Sequence, residues 1–201
     1  MLLLTSIEDT TNRAGFMIKD QISPTSLGET IAMQQARTEI ENLRRWYAIA
    51  TDKLGQADDA NAKAEGLDIY HRIFTATADV KVSGVTAKAL HGTGPDAWAQ
   101  VASNALQDYR ATQHLIGTQV VTFSSLVFST EKSNGMIDIA AGRATMSSYL
   151  QAWHAWPNRR LRLVMGTYLD ELVYSPDIGW QISSMDLVHV SGEQRQLGDP
   201  S

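Results

Sequence analysis

The chain has 201 residues, 43% hydrophobic and 19% charged, with a formal net charge of -5 and no cysteine. This balance indicates a globular domain with a sizeable core and argues against a disordered chain, a disulfide framework or thiol chemistry. Without a lysine- or arginine-rich block it is not expected to bind nucleic acid or an anionic membrane, and no apolar run approaches the ~18 residues of a membrane span.

Met1-Leu2-Leu3-Leu4 is apolar but gives way at once to Thr5-Ser6-Ile7-Glu8-Asp9, too short for a signal-peptide core and without a basic start. A cytoplasmic protein is the expectation. Residues 1–25 show no sustained periodicity and read as an arm or lid. Ser26-Leu27-Gly28-Glu29 fits a capping box, a hydroxyl followed three positions later by a carboxylate. Ile40, Leu43, Trp46, Tyr47, Ala50 and Leu54 continue at helical spacing until Gly55. Asp58-Asp59 opens a second helix, with Leu67, Tyr70, Ile73 and Phe74 as its apolar stripe. Residues 78–85 read as a short strand.

Gly92-Thr93-Gly94-Pro95-Asp96 starts a third helix, proline suiting its first turn. Trp98, Val101, Ala102, Ala105, Leu106 and Tyr109 form its buried face. From Ala111 the pattern is strand-like, with runs near 111–123, 136–154, 159–174 and 180–190. Ser133-Asn134-Gly135 and Ser175-Pro176-Asp177-Ile178-Gly179 mark turns. Helices followed by a long antiparallel meander define an α+β order, and a strongly curved sheet around helices encloses a conical cavity fit for a small molecule. In the run 159–174, Leu161, Leu163, Met165, Thr167 and Leu169 share one face, and Arg160, Arg162 and Asp170 the other. Thr167 is then either a satisfied β-former or a hydrogen-bonding handle in an apolar pocket. The doublets Arg44-Arg45 and Arg159-Arg160 read as exposed surface.

Three segments resemble the SnoaL-like group of the nuclear transport factor 2-like superfamily, most closely its scytalone dehydratase-like branch. They are Tyr47-Ala48-Ile49-Ala50-Thr51-Asp52, Thr112-Gln113-His114-Leu115-Ile116-Gly117, and Asp177-Ile178-Gly179-Trp180-Gln181-Ile182. The resemblance covers roughly residues 30–190. It implies a cone-shaped barrel, a curved mixed but mainly antiparallel sheet packed on three N-terminal helices, with the arm at 1–25, the domain at 26–192 and a tail at 193–201. It also implies that Asp52 enters the cavity at the end of the first helix and that His114 is the catalytic histidine. Counting outward, His154 falls near a second pocket histidine and Thr167 where the dehydratases carry a serine. Tyr47 and Thr51 would contact substrate. Two tyrosines of the dehydratases are matched here by Thr51 and Val82, so scytalone itself is not the expected substrate.

The chemistry implied is proton abstraction with loss of a leaving group, for which an imidazole titrating near ~6.5 suits either role. His114 is the expected base, with Asp52 as its orienting partner or the acid; His154 and Thr167 would hold substrate oxygens. On a helical wheel Asp52 lies ~140° from Tyr47, outside the apolar arc, so only the resemblance brings it inward. Trp156, in Trp153-His154-Ala155-Trp156, reads as an aromatic wall for a ring-bearing substrate, or as core closure or a subunit interface. His71 in the second helix, His91 in a turn and His189 near the C-terminus read as packing or surface residues. No histidine or carboxylate spacing suits a metal, and no cofactor is expected.

The expected function is a cofactor-independent lyase removing water or a one-carbon fragment from a hydroxylated aromatic small molecule, of lignin-derived type, in aromatic compound catabolism. An isomerase or polyketide-type cyclase on the same fold, and a non-catalytic small subunit or binding module, stay open. Cone-shaped sheets cover an exposed outer face by self-association, so a homodimer or homotrimer is expected.

Overall fold

The computed structural model describes residues 22–84, 88–129 and 136–198. Residues 1–21 of the expected arm and the Ser133-Asn134-Gly135 turn lie outside the described residues. Helix α1 (Leu27–Leu54) begins where Ser26, in extended conformation, accepts the Glu29 N–H on Oγ at 3.1 Å, a cap worth about 1 kcal/mol. The Glu29 carboxylate reaches back to the Thr25 N–H at 2.6 Å, one residue before the box that the sequence suggests. Asp59 caps α2 (Ala60–Ile73) by accepting the Ala62 N–H at 2.9 Å. The two helices meet at Gly66, where a Cβ would lie 2.8 Å from the Ala50 carbonyl oxygen. Any side chain there would force them apart.

Phe74 does not extend the α2 stripe; it opens β1 (Phe74–Ser83). A short strand missed in the sequence, β2 (Leu90–Thr93), pairs antiparallel with β1 and carries His91, which is therefore not in a turn. Helix α3 (Gly94–Leu106) follows directly, with Pro95 in its first turn. The meander is β3 (Ala111–Phe128), β4 (Ile139–Ala155), β5 (Arg160–Ser175) and β6 (Gly179–Gln196). The last strand thus continues past residue 192 into the segment expected as a tail.

The six strands are ordered β2-β1-β6-β5-β4-β3. Only β1 and β6 pair in parallel. This is the expected α+β architecture, a curved, mainly antiparallel sheet wrapped on three helices. The sheet does not close on itself, since β2 and β3 are its edges. The helices complete the wall that a closed barrel would make from strands. Among the described residues, no helix is long and apolar enough to cross a membrane.

Register shifts curve the sheet and decide which residues face the helices. On β3, Thr112, His114 and Ile116 are the less exposed set, whereas Val121 and Phe123 are buried further along. The pairing slips between Gly117 and Val120, where Thr118 adopts φ 46. One extra residue in a bulge reverses the alternation and bends the strand. On β6 a similar slip opposite Glu171/Leu172 moves the buried set from Trp180 and Ile182 to Met185 and Leu187.

The inner face of β5 is the opposite of the one expected. Val164, Gly166, Tyr168, Asp170 and Leu172 are buried, while Leu169 on the other face is 41% exposed. The more apolar face of this strand is its outer one because the inner face is satisfied by a charge. Arg44 of α1, which the sequence suggested was exposed, is 0% exposed and ion-paired with Asp170. Its guanidinium lies between the rings of Tyr168 and Tyr47, 3.9 and 4.5 Å from their centroids. A buried charge is tolerated only with such a partner and such contacts.

Candidate active site

The last turn of α1 delivers a carboxylate to β3. Asp52 Oδ1 accepts hydrogen bonds from Thr112 Oγ1 at 2.8 Å and His114 Nδ1 at 2.7 Å, and its Oδ2 accepts the His114 backbone N–H at 3.1 Å. Two further side chains tie α1 to this strand: Arg37 donates to the Val121 carbonyl and Gln119 to that of Glu41. Arg37, Glu41 and Asp52 fall within ~60° of one another around the helix. This flank of α1 meets the sheet through hydrogen bonds rather than apolar contact, and so escapes a reading based on the hydrophobic stripe.

With the Nδ1 proton held by Asp52, the His114 lone pair is on Nε2, the tautomer needed for accepting a proton from a ligand. The His114 side chain is 7% exposed, and that of Asp52 25%. His114 lies on the wall of a cavity of about 480 Å³. Trp98, Leu106, Leu150 and Val164 give this cavity an apolar lining; Tyr109, His154, Arg162 and His189 give it polar groups. A hollow of this size and mixed character suits a ring-sized organic molecule.

His154 stands beside His114, ring centroids 5.6 Å apart and planes near perpendicular at 82°. Burial, reinforced by His114 and the charge of Arg162, lowers the His154 pKa from 6.5 to about 4. Its Nδ1, near the backbone of Arg162, is buried without a hydrogen bond of good geometry. His154 is therefore a neutral ring near neutral pH and a poorer base than a free imidazole. His189 is also lowered, by burial and then by Arg162. Two contacts brace the wall: Thr51 Oγ1 and Tyr70 OH are 2.7 Å apart, and Trp98 donates to Tyr47 OH at 3.3 Å. Burial pushes the Tyr70 and Tyr168 phenols well above their usual range, so both are neutral. Among the described residues, no three His, Asp or Glu side chains are grouped to hold a metal ion.

A family model for the SnoaL-like domain matches residues 33–186, a span that includes both members of the Asp52–His114 pair. The chain belongs to the SnoaL-like family. No curated protein sequence matches it. Among solved structures it is similar to a protein of Kribbella flavida at 23% identity and TM-score 0.59, covering 80% of this chain and 95% of that one. A candidate scytalone dehydratase from Novosphingobium aromaticivorans is 18% identical with TM-score 0.53, covering 84% and 93% of the two chains. A hexachlorocyclohexane dehydrochlorinase from Novosphingobium barchaimii is 12% identical with TM-score 0.57, covering 85% and 99%. At such identities the likeness establishes the fold, and the site has to be argued from its own residues.

In this SnoaL-like cone, Tyr47, Thr51, His114 and His154 all line the cavity, and Asp52 reaches it through His114. Thr167 does not. It lies on the outer face of β5, paired with Tyr149 and Val188, because the alternation of that strand runs opposite to the one expected. Trp156 is not on the wall either. It follows β4 and packs behind Tyr109, ring centroids 4.8 Å apart, with the Arg160 guanidinium 4.7 Å over its ring. The sequence reading missed Arg162 and His189 as cavity residues. Arg162 falls on the face of β5 opposite the apolar one, which is the face that the fold turns inward. His189 points inward only after the slip in β6, which no local pattern announces.

Proposed function

We propose that this SnoaL-like protein is a cofactor-independent lyase, of dehydratase or deformylase type, acting on a hydroxylated aromatic small molecule, with His114 as the base and Asp52 as the group that orients it. The observation carrying the reading is the 2.7 Å contact between Asp52 and His114 Nδ1 at the wall of a largely apolar cavity. In a dehydration, Nε2 takes a proton from carbon, the electrons of the broken C–H bond form a C=C bond, and the C–O bond to the leaving group breaks. The departing hydroxide takes a proton from the His114 imidazolium and leaves as water, which restores the base. In a deformylation the proton taken is that of a primary hydroxyl; its C–C bond breaks to release formaldehyde, the electrons of that bond form a C=C bond, and a hydroxyl on the next carbon is expelled and leaves as water. Asp52 stabilises the imidazolium formed in either case. Positioned acid–base groups of this kind contribute roughly 10²–10⁴-fold.

Neutral His154 suits a hydrogen bond to a substrate oxygen rather than proton abstraction. An isomerase with a carboxylate base is less well supported, because Asp52 has Oδ1 bonded to two donors and Oδ2 to a third. A purely structural subunit would have no use for an oriented imidazole in its cavity. Turnover of hydroxylated diarylpropane and benzylic alcohol substrates, followed by product mass, tests the reading: a lyase product lacks the mass of water, or of water and formaldehyde together. His114→Gln and Asp52→Asn should each lower turnover ~10²-fold or more, and full activity in both would remove the pair from the mechanism.

The protein is further read as a homodimer or homotrimer associating through the outer face of the sheet. Leu115, Tyr149, Leu169 and Val190 there are 59%, 57%, 41% and 61% exposed, an apolar surface of the kind that oligomers cover. A monomer by light scattering at micromolar concentration would refute this assembly.

A further inference from the structure

The chain as a whole is acidic, at -5, yet the cavity is not. Its wall carries Lys88, Arg162 and three histidines, and among the described residues no aspartate or glutamate lines it. Asp52, which serves His114, is occupied by Thr112 and by the histidine's ring and backbone. Arg162 is half-buried, and among the described residues its one hydrogen bond to a side chain is from Nη1 to Tyr109 OH at 3.3 Å. No described carboxylate is ion-paired with it. Its charge helps to keep neutral two histidines of the wall, His154 directly across the β4–β5 pair and His189.

A half-buried guanidinium among apolar walls and neutral rings, with no carboxylate paired to it, offers a site for an anion. Its planar fork matches a carboxylate better than any other common organic group. A smaller hollow of about 180 Å³ shares Arg162, Val164 and His189 with the main cavity and gives room around the guanidinium. The carboxylate in that annex, Glu193, faces Arg195 at 3.6 Å. Lys88, exposed at the rim, adds a second positive charge on the approach. Strand order places β5 two strands from β3, ~10 Å across the sheet. Arg162 lies opposite Thr112, two residues along β3 from His114, so the two backbones are ~12 Å apart, a span suited to a ring carrying a short side chain.

Building on the lyase reading, we propose that the substrate is an aromatic carboxylic acid whose carboxylate is bound by Arg162, leaving the reacting carbon at His114. Arg162 is then the residue that selects charged over neutral ring compounds. The test uses a matched pair of probes, 3-(4-hydroxyphenyl)propanoate and its amide, titrated against the intact protein by tryptophan fluorescence and calorimetry. The acid should bind about ten-fold or more tightly than the amide, and this preference should shrink as salt is raised. Arg162→Gln should bring the two probes level, whereas His114→Gln should keep the preference while losing turnover. Equal binding of the probes by the unsubstituted protein, binding of neither, or a preference that survives in Arg162→Gln overturns the proposal. The two readings fail separately. Retained turnover in His114→Gln sinks the lyase reading and leaves the charge preference untouched, and a lost preference leaves the lyase reading standing.

Discussion

A neutral, buried His154 makes folding stability depend on pH in a way that can be calculated. Its side chain lies between Tyr109 and His114, with a pKa lowered from 6.5 to about 4, burial being the largest cause. The unfolded chain binds that proton more tightly than the folded one. Stability is therefore complete above pH ~6.5, falls as pH drops through that value, and levels off below pH ~4. One unit of pKa is about 1.4 kcal/mol, so the whole span is worth about 3 kcal/mol and the part lost between pH 7 and pH 5 about 2 kcal/mol. His154→Phe removes the titration and keeps a ring against Tyr109. Urea unfolding of both proteins at pH 7 and pH 5, at one fixed protein concentration, isolates the residue, since other titrating groups contribute to both. The unsubstituted protein should lose about 2 kcal/mol more than His154→Phe on acidification. Parallel losses would mean that His154 is solvated or already charged, and its reading as a neutral hydrogen-bonding ring would go with it.

Other substitutions probe other parts of the structure. Arg44→Met should cost about 3–5 kcal/mol by leaving Asp170 buried without its partner, and Asp170→Leu in the same chain should recover most of that; denaturant midpoints of the single and double variants decide it. Gly142→Ala places a Cβ 2.7 Å from the Trp180 ring and should destabilise by about 1–3 kcal/mol, read as a lowered Tm. Thr167→Val should leave turnover within about two-fold, since the hydroxyl points away from the cavity; a loss on the scale of ~10²-fold would mean that the inner face of β5 has been misassigned.

What the sequence determined by itself is local. Ser26 and Asp59 start helices because their side chains satisfy N–H groups only a few residues away, and Pro95 stands where a first turn tolerates it. Such signals act over one helical turn, so they are legible in one dimension. The order of helices and meander, and with it the α+β cone, follows from them. His114 stood out by its segment, but its partner could not be found from α1 alone, because Asp52 is off the apolar stripe and has meaning only once β3 lies beside that flank.

Tertiary structure decided the rest, for a physical reason that recurs at each miss. Which side of a strand is inside depends on parity, and a single bulged residue reverses parity for everything beyond it. The slip in β6 turns His189 inward. On β5 the hydrophobic face is the outer one, because Arg44, 126 positions away in sequence, satisfies Asp170 and lets a polar face be buried. Thr167 was thereby drawn into the pocket on paper and Arg162 left out of it. A pattern of residue types records what each side chain prefers in isolation; a buried charge with a distant partner overrides that preference, and only the folded chain brings the partner into view.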